Sequence, residues 1–112
     1  MAATENDDQN GLTRMRAELD RIDNRLLDAV RDRIDVCVRI AHYKREHAVP
    51  MMQPHRIDAV QQRAANYGAE NGVSQAFLSQ LYDLIIGETC RVETLVIDEG
   101  RQGRETVPEG PR

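Results

Sequence analysis

The chain has 112 residues and a formal net charge of −4, with 40% hydrophobic and 30% charged residues. This length fits one domain with one core. The negative charge gives no support for a nucleic-acid partner, and no apolar run approaches the ~20 residues that a membrane span needs.

Both ends of the chain are polar. The N-terminal stretch MAATENDDQNG lacks the basic start and apolar middle of a signal peptide. The C-terminal stretch DEGRQGRETVPEGPR is charged and contains Gly and Pro. We expect residues 1–11 and 98–112 to be disordered tails and residues 12–97 to form the domain. Cys37 and Cys90 are expected to be reduced core cysteines of a cytoplasmic protein.

A long helix is predicted first. Apolar residues recur every three or four positions and form one stripe: Met15, Leu19, Ile22, Leu26, Val30, Ile34, Cys37 and Ala41. Thr13 is the predicted N-cap, and Pro50 closes the element. A helix over 13–47 would be ~50 Å long, whereas a compact domain of this size is ~26 Å across. One chain cannot cover this stripe, so we expect a second copy packed antiparallel about a two-fold axis.

Two shorter helices follow. Pro54 occupies the favoured first position of a helix that runs to about Tyr67, with inward-facing Ile57, Val60 and Ala64. The stretch GAENGVS predicts a turn, and Ser74 is the predicted N-cap of the third helix. That helix carries the apolar residues Phe77, Leu81, Leu84, Ile85, Val92, Leu95 and Val96. Because no strand-like alternation occurs, the predicted fold is all-α, with one long and two short helices.

Several cations lie where an apolar face is expected. Arg33 and Lys44 share one face of the long helix. Charges there either extend into solvent or bind an anion. Arg16 is ~25 Å from Arg33 along the helix axis, so the two could contact one small ligand only from two antiparallel chains. Arg56, in the first turn of helix 2, opposes the helix dipole.

The remaining polar residues define no reaction. Thr89 and Glu93 are one turn apart on helix 3, and Glu93 by itself is typical of a surface carboxylate. The cysteines and histidines lack metal-ligand spacing, so we predict no metal or cofactor. The residues alone therefore indicate a helical dimer with an arginine cluster that could bind an anion.

The stretch RAELDRIDNRLLDAVRDRIDVCVRIAHYKREHAVPMMQPHR resembles the all-helical class of chorismate mutases. The residues that carry the resemblance are Arg16, Leu19, Asp23, Leu26, Leu27, Arg33, Ile40, Lys44, Pro50 and Arg56. FLSQLYDLIIGETCRVE is similar to the third helix of that family, and the likeness covers about residues 12–97. It implies an intertwined homodimer with two equivalent sites. Within the family, VPMMQPHR and the following helix are similar to the 4-amino-4-deoxychorismate mutases, which supply precursors of 4-aminophenylalanine to bacterial antibiotic pathways.

The resemblance implies roles for individual residues. Arg33, Lys44 and Arg56 would come from one chain and Arg16 from the other. Arg16 and Arg33 would bind the two carboxylates of the substrate, because a guanidinium can donate two hydrogen bonds to one carboxylate. Lys44 would contact a carboxylate and the ether oxygen. Arg56 would shape the pocket near the C4 substituent, and Thr89 would lie near a carboxylate.

The implied reaction is a [3,3] rearrangement, which needs no metal, cofactor or nucleophile. The protein would orient the enolpyruvyl arm and stabilise negative charge on the ether oxygen. Glu93 falls at the position of the ether-oxygen donor, where relatives carry glutamine. An ionised carboxylate would repel the developing charge. We therefore expect Glu93 to be protonated, which requires that burial disfavour its charged form.

A second departure concerns residues 50–57, here called the rim segment, which is expected to face the C4 substituent. Many chorismate mutases carry a carboxylate one residue after the position of Arg56. Here Ile57 stands there, and Gln53 replaces another acidic residue. Met51 and Met52 would be adaptable apolar filling. The amine substrate is favoured, with three alternatives left open: a chorismate mutase, a lyase acting on isochorismate, and a non-enzymatic helical dimerisation module.

Overall fold

The structure is a computed structural model that describes the backbone of residues 2–51 and 53–109 and the side chains of residues 9–51 and 53–99. The chain folds into three helices, which are α1 (Ala2–Glu46), α2 (Pro54–Asn71) and α3 (Gln75–Glu109). No strand occurs in the described residues, so the predicted all-α class is confirmed. The third helix, at 35 residues, is much longer than the short helix that we expected.

The chain divides into two compact units, Met1–Arg33 and Ile34–Arg112. The first unit consists of α1 residues, and its apolar stripe is open to solvent. Met15 is 61%, Leu19 55% and Leu26 56% exposed. No described residue covers more than half of any of these three side chains, which agrees with the expectation that one chain leaves the stripe exposed.

Helix α1 begins earlier than predicted. It starts at Ala2 instead of residue 13, so Thr13 lies inside the helix and its prediction as the N-cap is wrong. Gly11 does not interrupt the helix, and its φ is not positive. The helices extend beyond the expected domain bounds of 12 and 97 at both ends. Disorder of the two tails in solution stays a prediction.

The C-terminal end of α1 turns sharply. The helix ends at Glu46, one residue before the predicted end. Ala48 then adopts a left-handed conformation with φ 55°, and the Val49 amide donates to the Lys44 carbonyl at 2.9 Å. A left-handed residue followed by this bond is the arrangement with which many helices end. It reverses the chain immediately before the rim segment.

Helix α2 starts at Pro54 as predicted but continues to Asn71, four residues beyond the expected end. Gly68 is buried inside it, and a Cβ there would lie 2.6 Å from the Val73 carbonyl oxygen. The helix ends at Gly72, whose φ is 68°. The predicted cap of α3 is confirmed, because the Ser74 hydroxyl accepts the Phe77 amide at 3.1 Å.

The core of the second unit is small and includes polar groups. Its buried residues are Ala41 of α1, Val60, Ala64 and Gly68 of α2, and Thr89, Glu93 and Val96 of α3. The inward orientation predicted for Val60 and Ala64 is confirmed, and Ile57 is half-buried. Several large apolar residues of α3 stay exposed, namely Phe77, Leu84 and Leu95. Cys37 and Cys90 are both half-buried thiols.

Within the described part of the chain, none of the three helices contains an apolar stretch that could span a bilayer.

Candidate active site

A lysine and a glutamate meet in the interior of the second unit. The Lys44 ammonium lies 3.4 Å from Glu93 Oε1, with side chains 15% and 11% exposed. Lys44 is the single lysine in a chain that otherwise uses arginine for its cations. The two residues are 49 positions apart, so their contact depends on the packing of the end of α1 against α3. The two residues to which the family resemblance gives a catalytic role therefore lie together.

The pair bears on the expected protonation of Glu93. Its carboxyl group is nearly buried and lies 3.4 Å from the Lys44 ammonium. The surface role that is typical of an isolated glutamate does not apply, because Glu93 is buried. Protonation of Glu93 during the reaction stays a prediction.

Met51, in the rim segment, contacts the same lysine. Its carbonyl oxygen accepts a hydrogen bond from Lys44 Nζ at 2.9 Å. Its sulfur accepts the Thr94 hydroxyl at 3.3 Å. Both bonds are partly buried. The rim segment is therefore tied to α1 through its backbone and to α3 through the Met51 side chain. The expected role of Met52 lies outside the described residues.

Arg45 makes a second connection between α1 and α3. Its Nη1 donates to the Val96 carbonyl at 2.9 Å, and its Nη2 lies 3.1 Å from His42 Nδ1. Val96 follows Glu93 by one turn, so this bond fixes the end of α1 beside the lysine–glutamate pair. Sequence reasoning missed Arg45 because adjacent charges at a helix end are usually solvated.

Thr89 lies one turn before Glu93 on the buried face of α3. It is itself buried, and its hydroxyl donates to the Ile86 carbonyl at 3.0 Å. Donation to a carbonyl earlier in the helix is a common way to satisfy a buried threonine. Thr89 and Glu93 thus occupy one face, as their spacing predicted, and contact of Thr89 with a substrate carboxylate stays a prediction.

Gln53 is oriented by its own segment. Its Nε2 donates to the Pro50 carbonyl at 3.2 Å. Because a carbonyl only accepts, the amide nitrogen must face Pro50, and Oε1 occupies the other branch of the amide. The Gln53 carbonyl accepts the amides of Arg56 at 2.9 Å and Ile57 at 3.3 Å, which begins α2. The Arg56 side chain is exposed, and Ile57 is half-buried.

The other two predicted carboxylate ligands belong to the first unit. Arg16 is exposed and Arg33 is half-buried, both on α1. Their roles, and donation of Arg16 by a second chain, stay predictions. Among the side chains that the structure describes, no group of three or more His, Cys, Asp or Glu could bind a metal ion.

A polar groove of about 400 Å³ lies elsewhere in the second unit. Its walls are formed by Asp58, Gln61, Gln62, Ala65, Gln75 and Ser79. None of the predicted site residues lines it, and it presents no cation to a dicarboxylate. The groove is therefore a weaker candidate than the region around Lys44.

These features define an all-helical protein with a nearly buried ammonium and carboxyl pair, in which the ammonium is also hydrogen-bonded to the rim segment. The model of the family chorismate mutase type II matches residues 15–94, and the chain belongs to this family. It is similar to the 4-amino-4-deoxychorismate mutase of Streptomyces venezuelae, with 59% identity over 90 residues, 80% of this chain and 87% of the relative. It is also similar to the 4-amino-4-deoxychorismate mutase of Streptomyces pristinaespiralis, with 57% identity over 89 residues, 80% of this chain and 69% of the relative. The comparison with solved structures gave no significant match.

Proposed function

We propose that this protein converts 4-amino-4-deoxychorismate to 4-amino-4-deoxyprephenate on a route to antibiotics derived from 4-aminophenylalanine. In this [3,3] rearrangement the ether C–O bond breaks as a C–C bond forms in the same molecule, so no atom enters or leaves. The observation that carries the proposal is the 59% identity to a relative of that name. We place the reaction in the cytoplasm, as expected from the two half-buried thiols.

Lys44 is the proposed electrostatic catalyst. Negative charge develops on the ether oxygen as the C–O bond breaks, and a cation in a site with little water stabilises that charge strongly. Lys44 suits this role because its side chain is only 15% exposed. An ammonium is also a compact point charge, whereas a guanidinium spreads its charge over a planar fork. This difference is a reason for one lysine in an arginine-rich chain.

Glu93 is the proposed second donor to the ether oxygen. As a neutral acid it can donate its proton to a hydrogen bond, whereas the carboxylate can only accept. Its position beside Lys44 and its burial support a role at the reacting oxygen. Thr89, one turn away on the same buried face, would contact a substrate carboxylate.

Arg16 and Arg33 are proposed to bind the two carboxylates of the substrate, with Arg16 donated by the partner of a homodimer. The exposed apolar stripe of α1 supports a second copy, because Met15, Leu19 and Leu26 are each more than half exposed in one chain and patches of this kind mark protein interfaces. An antiparallel partner would cover the stripe and bring its Arg16 to the site of the first chain.

The rim segment is proposed to select the amine. The Pro50 carbonyl fixes the amide of Gln53 so that Oε1 is the branch left for a ligand. A C4 ammonium and a C4 hydroxyl can both donate to this oxygen, and the hydrogen bond from the charged ammonium is the stronger one. Ile57 and Arg56 follow in the first turn of α2 and would line the same side of the ring.

Incubation of the purified protein with 4-amino-4-deoxychorismate tests the proposal, followed by loss of the cyclohexadiene absorbance and by chromatography of the product. The wild-type protein should form 4-amino-4-deoxyprephenate, and Lys44→Met should be slower by about 10²-fold or more. Arg39→Met removes an exposed cation from the same helix and is the matched control. A wild-type protein that turns over neither this compound, chorismate nor isochorismate would instead be a helical dimerisation module.

A further inference from the structure

The ammonium of Lys44 is constrained by two protein acceptors. Nζ donates to the Met51 carbonyl at 2.9 Å and lies 3.4 Å from Glu93 Oε1. An ammonium carries three N–H donors. Among the residues that the structure describes, two acceptors take two of these donors, and we assign the third donor to a ligand. The direction of that third donor is set by where the two acceptors lie.

The Met51 carbonyl reaches Lys44 because of the way α1 ends. Ala48 turns the chain through its left-handed conformation, and Val49 bonds back to the Lys44 carbonyl at 2.9 Å. The chain then runs back, and Met51, seven residues after Lys44, lies at the tip of the lysine side chain. Both the backbone and the ammonium of Lys44 are thus bonded to the segment that follows it.

Thr94 contacts Met51 through the Met51 side chain. Its hydroxyl donates to the Met51 sulfur at 3.3 Å in a partly buried position. Thr94 follows Glu93 directly on α3, so one acceptor of the ammonium belongs to Glu93, and the next residue contacts Met51, which supplies the other acceptor. A methionine side chain is flexible, and the bond to Thr94 restricts it to one arrangement.

We propose that Met51 and Thr94 are positioning residues that orient the Lys44 ammonium toward the ether oxygen of the substrate. The inference rests on the proposed function for the identity of that oxygen. Neither residue needs to touch the substrate. The Thr94 hydroxyl holds the Met51 side chain in place, and the Met51 carbonyl in turn accepts a hydrogen bond from the Lys44 ammonium. They affect how well Lys44 stabilises the negative charge that develops on the ether oxygen. That charge develops in both the amine and the hydroxyl substrate.

In this arrangement, the residues that position the Lys44 ammonium differ from the residue that selects between the amine and the hydroxyl substrate. Loss of the Thr94 hydroxyl should slow 4-amino-4-deoxychorismate and chorismate by the same factor, because both develop charge on the same oxygen. Discrimination between them is assigned to Gln53 in the rim segment. An interaction lost only in the transition state lowers kcat and leaves KM nearly unchanged.

Lys44 gives a direct spectroscopic signal. Because it is the single lysine, protein grown on isotope-labelled lysine yields one side-chain ammonium resonance in NMR spectra. A bonded ammonium exchanges its protons with water more slowly than a freely rotating one. Thr94→Val keeps the shape and removes the hydroxyl, Thr94→Ser keeps the hydroxyl, and Met51→Leu removes the sulfur. Ser79→Ala removes an exposed hydroxyl from the same helix and is the control.

We expect Thr94→Val to accelerate proton exchange at Lys44 and to lower kcat about tenfold, less than the ~10² that a 1 Å misplacement can cost. KM should stay within about twofold, and the ratio of kcat/KM for the two substrates should not change. Thr94→Ser should retain the wild-type values. Met51→Leu should resemble Thr94→Val, and the double variant should be no worse than either, since the residues act in series.

Unchanged proton exchange and kcat in folded Thr94→Val and Met51→Leu would overturn the inference. A changed substrate ratio would overturn it as well, because Thr94 would then act on the C4 contacts of the rim segment. If the wild-type protein converts neither substrate, the proposed function is wrong, and the Lys44 resonance alone decides whether Met51 and Thr94 fix the ammonium.

Discussion

Replacement of Glu93 by glutamine removes one ionisable proton and keeps the shape of the side chain. The carboxyl oxygen lies 3.4 Å from the Lys44 ammonium, and both side chains are nearly buried. At an effective dielectric constant of ~20, two unit charges at this separation attract each other by about 5 kcal/mol before desolvation is subtracted. An ionised Glu93 therefore competes with the ether oxygen for the ammonium and cannot donate a hydrogen bond.

The expected result is a difference in kcat between two variants of Glu93. Glu93→Gln keeps a hydrogen-bond donor for the ether oxygen and cannot ionise, so its kcat should equal or exceed that of the wild-type protein. Glu93→Ala removes the donor and should lower kcat by about 10²-fold, the usual effect of losing one donor to a developing oxyanion. This factor equals ~2.7 kcal/mol, about half of the gross attraction.

The assay is kcat with saturating 4-amino-4-deoxychorismate at one pH, with circular dichroism spectra to verify folding. Glu88→Gln is the control on the same helix. Glu88 is exposed, and its hydrogen bond with Arg91 keeps the pKa of its carboxyl below the usual value, so its replacement should not change kcat. A loss of kcat in Glu93→Gln as large as that in Glu93→Ala would refute the assigned role of Glu93.

Three further predictions concern the dimer and the backbone. In a mixed dimer of one Arg16→Ala chain and one Lys44→Met chain, one of the two sites contains both intact residues. Half of the dimers in an equimolar refolded mixture are mixed, so the mixture should recover about one quarter of wild-type activity. No recovery would contradict donation of Arg16 across the interface. Ala48→Gly relieves a left-handed alanine with φ 55° and should stabilise the fold by about 0.5–1 kcal/mol, and a lower melting temperature would contradict this. Gly68→Ala should destabilise it by about 1–3 kcal/mol, because the new Cβ would lie 2.6 Å from the Val73 carbonyl oxygen; a thermal midpoint at or above that of wild type would disprove this contact.

Local signals in the sequence predicted much of the fold. Pro54 starts α2 and Ser74 caps α3, because both act through their own backbone and that of the next turn. The end of α1 was predicted to within one residue. Its start was not, because a threonine marks an N-cap only where the chain before it is not helical, and here the preceding residues continue the helix. Gly68 resembled a helix breaker, and only its close packing on the following turn explains its place inside α2.

The site was predictable only in part. Periodicity placed Lys44 on the partly apolar face of α1, and the family likeness singled out Glu93, but their contact spans 49 residues and depends on packing. The contact of the Met51 carbonyl with Lys44 could not be predicted from the identity of residue 51, because every residue carries a backbone carbonyl. Thr94 was missed for a similar reason, because an isolated threonine on a helix is usually solvated or bonded to its own helix.

The ratio of kcat/KM for 4-amino-4-deoxychorismate to that for chorismate, measured on the purified wild-type protein under identical conditions, tests the central claim most directly. The account predicts a ratio well above one, about tenfold or more, because a charged ammonium donates a stronger hydrogen bond to the Gln53 amide oxygen than a neutral hydroxyl does. A ratio below one would make the protein a chorismate mutase with an unusual rim segment, and would contradict the proposed selection of the amine.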